Sequence, residues 1–186
     1  ATVKDAINNT ERSIETSPLT NYNVIVVDQA LKNNSNISFV NTSVLRAGST
    51  YDANVSSVLY KFANKANRYG FNGSTDISQR IYTNNNDIGH RTMLNGGKMS
   101  GNYTWSLNTK VISDNFNPND LGYLDRNNLI SAVLYNVYNT YKPFGHINTT
   151  YNKIGLEYYR AYNPATFAKA AMHGNHVVTF TSFHTI

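Results

Sequence analysis

The nearest approach to a metal-ligand motif in this chain is His173-Gly174-Asn175-His176, whose two imidazoles would need a third ligand from elsewhere. The intervening Gly and the lack of a partnered Glu suit two histidines at a loop edge. Asp114, Asp120 and Asp125, interleaved with Asn115, Asn117 and Asn119, offer oxygens at the short spacing of a calcium loop. The Gly and closing Glu that an EF-hand needs at fixed positions are missing. Turn capping within Asn117-Pro118-Asn119-Asp120, and pairing of Asp125 and Arg126 within the loop or with a neighbouring strand, account for the run without a cation. Asn95-Gly96-Gly97-Lys98 has the letters of a phosphate loop but neither the Walker spacing nor a following helix. Trp105, Tyr123, Tyr158 and Tyr159 stand among amides and could stack on sugar rings, although in a membrane strand such residues form the girdle at headgroup level. No Ser, His and acid constellation and no nucleophile elbow can be picked out. The expectation is no catalytic residue, no metal and no cofactor.

Composition points to the setting rather than the chemistry. The 186 residues are 40% hydrophobic and only 15% charged, and the difference is filled by Asn, Ser, Thr and 14 Tyr. Such a balance favours amphipathic aromatics at interfaces over a helical core. The net charge of +5 is spread thinly with no basic run, so no nucleic-acid partner is expected. Without cysteine there is neither a disulfide frame nor a thiolate metal site. No stretch approaches the roughly 20 apolar residues of a membrane helix, whereas a barrel strand needs only about 9 to 11. Ala1 is not followed by a charged and then an apolar leader segment, which leaves a cytosolic protein or an interior piece of an exported one.

Any such chemistry must be held by strands, because alternation with period two dominates the chain. Strands are expected at Tyr22–Leu31, Asn36–Arg46, Ala53–Ala63, Tyr69–Tyr82, Arg91–Lys98, Tyr103–Val111, around Val133–Tyr141, Asn148–Arg160 and His176–Phe183. Ala1–Asp5 reads as a strand tail followed by a polar loop through Thr16, and Ala165–Met172 as a helical turn or two within a long loop, 161–174. Connections alternate between tight turns (KNNS, 64–68, MSGN, KPFG) and mostly longer loops (47–52, 83–89, 114–128, 161–174). The central hairpin is the most amphipathic unit. Tyr103, Trp105, Leu107 and Val111 are expected on one face with Val133, Tyr135, Val137, Ile154, Leu156 and Tyr158, facing lipid. Thr104, Ser106, Asn108, Lys110, Lys153 and Glu157 are expected on the other, facing a lumen. Asp114, Asp120, Asp125 and Arg126 then belong to an outer loop.

Several phrases resemble a family of large bacterial outer-membrane proteins that carry a carbohydrate-binding-like module ahead of a C-terminal barrel of unknown function. They are PLTNYNVIVVDQALKNNSNISFVNTSVLR (18–46), YDANV (51–55), GKMSGNYTWSLN (97–108) and NPNDLGYLDRNN (117–128). The resemblance implies a middle-to-late part of one barrel domain and supplies no catalytic residues. The expected fold is therefore all-β, an antiparallel up-and-down transmembrane β-barrel, present as a partial barrel of about nine strands. Its place would be the bacterial outer membrane. Its partners would be membrane lipid, the remaining strands or other envelope proteins, and a possible glycan. It would serve as conduit, anchor or scaffold in envelope carbohydrate or protein handling; the alternative is a secreted β-sandwich that binds glycans.

Overall fold

A computed structural model describes residues 2–5, 10–13, 17–48 and 50–186. The described residues contain eleven strands and no helix: β1 (Thr2–Asp5), β2 (Thr10–Ser13), β3 (Thr20–Leu31), β4 (Ser35–Arg46), β5 (Asp52–Ala63), β6 (Tyr69–Ile81), β7 (Asn86–Lys98), β8 (Tyr103–Ile112), β9 (Leu129–Thr140), β10 (Ile147–Arg160) and β11 (Phe167–Phe180). β1 and β2 form a separate antiparallel hairpin, β2 falling inside the stretch expected to be a polar loop. Residues 6–9 and 14–16 of that expected loop lie outside the described residues. β3 to β11 make one open antiparallel meander in sequence order, the nine-stranded sheet that the alternation predicts.

Antiparallel pairing brings directly opposed residues onto the same face, so the register assigns every strand residue to one of two faces. Leu107 opposes Gly96 on β7 and Leu134 on β9; Leu134 opposes Leu156, and Leu156 opposes Met172. This row, extended by Phe71 and Phe62, defines an apolar face. On the other face, Asn36, Lys61, Asn72, Asn95, Asn108, Val133 and Glu157 form one row from β4 to β10.

The expected grouping of side chains divides at β9. Val133, Tyr135 and Val137 oppose Asn108, Ser106 and Thr104, so they lie on the polar face and not with Leu107. Both parities of β9 are apolar, Ile130, Ala132 and Leu134 on one side and Val133, Tyr135 and Val137 on the other. Alternation alone could not choose between them, and pairing does. Ile154, Leu156 and Tyr158 do share the face of Tyr103, Trp105, Leu107 and Val111, and Lys153 and Glu157 share that of Thr104, Ser106, Asn108 and Lys110.

Two boundaries also move. β7 starts at Asn86, so the turn before it spans only 82–85, closed by the Tyr82 amide donating to the Asn85 carbonyl at 3.0 Å. β11 starts at Phe167, which makes a strand of the stretch expected to be loop with a helical turn. The helix preference of its alanines yields to a full ladder with β10 and to the Lys169 Nζ–Glu157 Oε2 ion pair at 2.9 Å across that ladder. With these corrections only the 113–128 connection is long.

Gly155 shows how closely the polar face is packed. A Cβ there would lie 2.3 Å from the His173 ring and 2.9 Å from that of Tyr135, whose own ring centroids are 5.8 Å apart edge to face. The two rings fill the gap the glycine leaves. Gly155→Ala is expected to destabilise the sheet by about 1–3 kcal/mol through overpacking. In equilibrium denaturation, the same change made in a His173→Ala background should cost clearly less.

Candidate functional site

The β8–β9 connection does not project away from the sheet; it folds back across the polar face. Its base is pinched by Ser113, whose amide donates to the His90 carbonyl while its Oγ accepts from the His90 amide, both at 2.9 Å. The Asn128 amide returns to the Ser113 carbonyl at 3.2 Å. From there Phe116 drops onto β7 and is almost wholly buried, at 1% exposure. Gly89 allows this approach: a Cβ at that position would stand 2.2 Å from the Phe116 backbone nitrogen. The Arg91 guanidinium carbon lies 5.2 Å from the centre of the Phe116 ring.

Beyond Phe116 the loop crosses β6 and reaches β4. The Asn117 amide donates to Ser78 Oγ at 2.9 Å. Asn117 Oδ1 accepts from the Asn119 amide and Asn119 Oδ1 from the Leu124 amide, turns that keep the loop compact. At the far end Asp120 Oδ1 accepts from Arg46 Nη2 at 2.6 Å and from the Tyr51 hydroxyl at 2.9 Å. Arg46 also donates to the Tyr51 carbonyl and stands over its ring, 4.7 Å from the centroid. Burial, then the hydrogen bond to Asp120, holds the Tyr51 phenol above its usual range.

The same face carries most of the strand charge. Asp76 is buried, accepting from Arg91 Nε at 2.7 Å and from Ser74 Oγ at 3.1 Å. Arg80 pairs with Asp87 at 2.8 Å, and Lys153 Nζ sits 3.9 Å from the Tyr135 ring centre. Among the paired strand positions, Asp52, Lys98 and Arg160 are the only Lys, Arg, Asp or Glu on the apolar face, and each is the first or last residue of its strand. A cavity of about 420 Å³ on the polar face has Asn34, Lys61, Asn72, Asn95, Ser106 and Tyr135 in its lining. Residues from the β3–β4 turn to β9 thus surround one volume, so the sheet curls toward this side.

The four loop residues picked out by sequence go separate ways. Asp120 closes the latch on Arg46. Asp114 accepts from Asn163 of the β10–β11 loop at 2.8 Å. Asp125 and Arg126 lie beside Arg91 and Lys110. The His173 and His176 pair is split by strand parity: His173 is on the polar face, with Nδ1 3.7 Å from Glu157, and His176 is on the apolar face beside Asn152. Among the described residues no three His, Asp or Glu side chains gather as a metal site. Of the aromatics, Trp105 and Tyr158 are on the apolar face, Tyr159 is on the polar face and Tyr123 is exposed in the loop. The Arg46–Tyr51–Asp120 latch and the buried Asp76–Arg91 pair were not anticipated. The latch has no local signature, since its partners are 74 residues apart.

A family model described as "Domain of unknown function (DUF5916)" matches residues 1–186. The chain belongs to the DUF5916 family. That description carries no activity, ligand or location. Neither a curated protein nor a solved structure matches this DUF5916 chain.

Two outcomes test the latch. Asp120→Ala leaves the Arg46 guanidinium, whose side chain is 15% exposed, without its carboxylate, and should weaken loop docking by roughly 1–3 kcal/mol. Faster hydrogen exchange at the Asn117 amide would register it. Because the Tyr51 phenol is raised, its contribution is complete below the ordinary phenol pKa and fades as pH climbs through the higher folded value. Docking should therefore persist past the pH at which free tyrosine ionises and then fail. In Tyr51→Phe that alkaline loss should disappear.

Proposed function

We propose that this DUF5916 sheet is a section of an outer-membrane β-barrel wall and that it serves as a conduit. The apolar face would meet lipid, and the polar face would line an aqueous interior narrowed by the β8–β9 loop. The observation that carries the reading is the segregation of charge by strand parity. A Lys or Arg on the lipid face near the midplane costs about 2–4 kcal/mol, falling to about 0–1 near the interfaces. The apolar face keeps its charges at strand ends, and its middle rows hold only uncharged residues: Ile37, Phe39, Val58, Leu94, Leu107, Leu134 and Leu156, with Asn41, Ser56 and several Thr among them.

Other features agree. The nine strands run from 10 to 14 residues, enough to cross a bilayer at a tilt. Tyr69, Trp105, Tyr103 and Tyr138 cluster on the apolar face toward the 64–68, 99–102 and 141–146 turns, as girdle residues would. The ladder edge of β3, and that of β11 outside 178–180, which residues 184–186 bond, call for further strands or other envelope proteins to satisfy them in lipid. A loop lying across the charged face favours a conduit over an anchor or scaffold, since an anchor has no use for a narrowed interior. A role in envelope carbohydrate or protein handling follows from the resemblance of the 18–46 and 117–128 phrases.

Single cysteines at Leu107, Asn108, Val133 and Leu134, probed with one membrane-soluble and one water-soluble reagent, test the reading. Leu107 and Leu134 should react only with the first, and Asn108 and Val133 with the second. The opposite pattern would reverse the faces. A protein that stays monodisperse without detergent, with both apolar positions shielded from both reagents, would instead favour the secreted glycan-binding module.

A further inference from the structure

Arg91 is held in an unusual way. Its Nε is committed to Asp76, buried at 2% exposure, and its guanidinium lies against the ring of buried Phe116. Among the described residues no hydrogen bond from either Nη is present. An arginine fixed by its Nε and one flat side keeps its two amino groups, the fork that grips a carboxylate or phosphate, for something else. Arg91 borders a cavity of about 390 Å³ between strands β7 and β8 and the folded loop, and Lys110 and Arg126 border it too. Neither Lys110 nor Arg126 has an ion pair among the described residues, although Arg46, Arg80, Arg91 and Lys169 all do.

The opposing charges have to be weighed. Asp76 offsets Arg91 and is already bonded. Asp125 borders the same cavity and offsets one of the remaining two cations, so a surplus of about one positive charge is left beside an uncommitted guanidinium fork. The rest of the lining is apolar, from Ile112, Leu124 and Leu129. A bare inorganic anion would use the cations and leave that wall idle. The volume falls in the range of small-molecule sites, roughly 300–1,000 Å³.

We propose that this cavity binds a small organic anion, its oxyanion gripped by Arg91, Lys110 and Arg126 and its apolar body resting on Ile112, Leu124 and Leu129. Two of the contacts, Arg126 and Leu124, come from the folded loop, so ligand and docked loop would stabilise one another. The site stands whether or not the sheet lies in a membrane.

Calorimetric titration of the purified protein with phenyl phosphate, benzoate and inorganic phosphate tests it. Phenyl phosphate or benzoate should bind at least tenfold more tightly than inorganic phosphate, and whichever of the two binds better identifies the oxyanion. Arg126→Ala and Lys110→Ala should each weaken binding tenfold or more. Asp125→Asn should strengthen it several-fold. Lys61→Ala, which removes a cation of the same face bordering a different cavity, should leave it unchanged. Circular dichroism of each variant checks that the sheet is intact. No binding by any of the three probes would overturn the proposal. So would equal losses from Lys61→Ala and Lys110→Ala, which would reduce the effect to diffuse charge. Equal affinity for inorganic phosphate and phenyl phosphate would overturn the apolar half of the site.

Discussion

The sheet rests on a single constraint, the continuous antiparallel register from β3 to β11. Each strand's hydrogen bonds fix which residues stand opposite one another, and opposition fixes the face. A slip of one residue anywhere would carry Lys110, Asp76 or Glu157 onto the apolar side and break the rows on both sides. Irregularities are confined to the two ends of the β10–β11 pair, between Ile147 and Thr149 and between Tyr159 and Arg160. The central rows, where charge and apolar surface have to be kept apart, run without a break.

The folded loop depends on that register for its anchorage. Ser78, Gly89 and Arg91 occupy the same face because the pairing of β6 with β7 puts Ser78 opposite Gly89 and Asp76 opposite Arg91. Ser78 then supplies an acceptor, Gly89 room for the backbone and Arg91 a cation for the Phe116 ring. The buried Asp76 is compensated by hydrogen bonds from Arg91 and Ser74. Unpaired, a carboxylate at that depth would be strongly destabilising.

Much of the architecture was legible because it is periodic. Strands such as Asn36–Arg46 and Asn148–Arg160 announce themselves by alternation, and turns by Asn, Gly and Pro. Besides β2 and the early start of β7, three larger features escaped. The face of β9 was hidden because both of its parities are apolar. The start of β11 was hidden because Ala168, Ala170 and Ala171 favour a helix in isolation, and only the ladder with β10 overrides them. The course of the 113–128 loop was hidden because its contacts are with residues far away in the chain. Its acidic residues were noticed, but their partners could be identified only in three dimensions.

That last feature bears on the order of folding. The Arg46–Asp120 contact spans 74 residues and the Ser78–Asn117 contact 39, whereas neighbouring strands other than β8 and β9 are joined through short turns. Hairpin contacts of low sequence separation form early, and the entropy of closing the long loops is recovered only after β4 to β8 are aligned. Contacts of such sequence separation are expected to form after the hairpins. The ladder from β3 to β11 is closed by strand–strand bonds alone, so the docked loop adds to the sheet without being needed to align its strands.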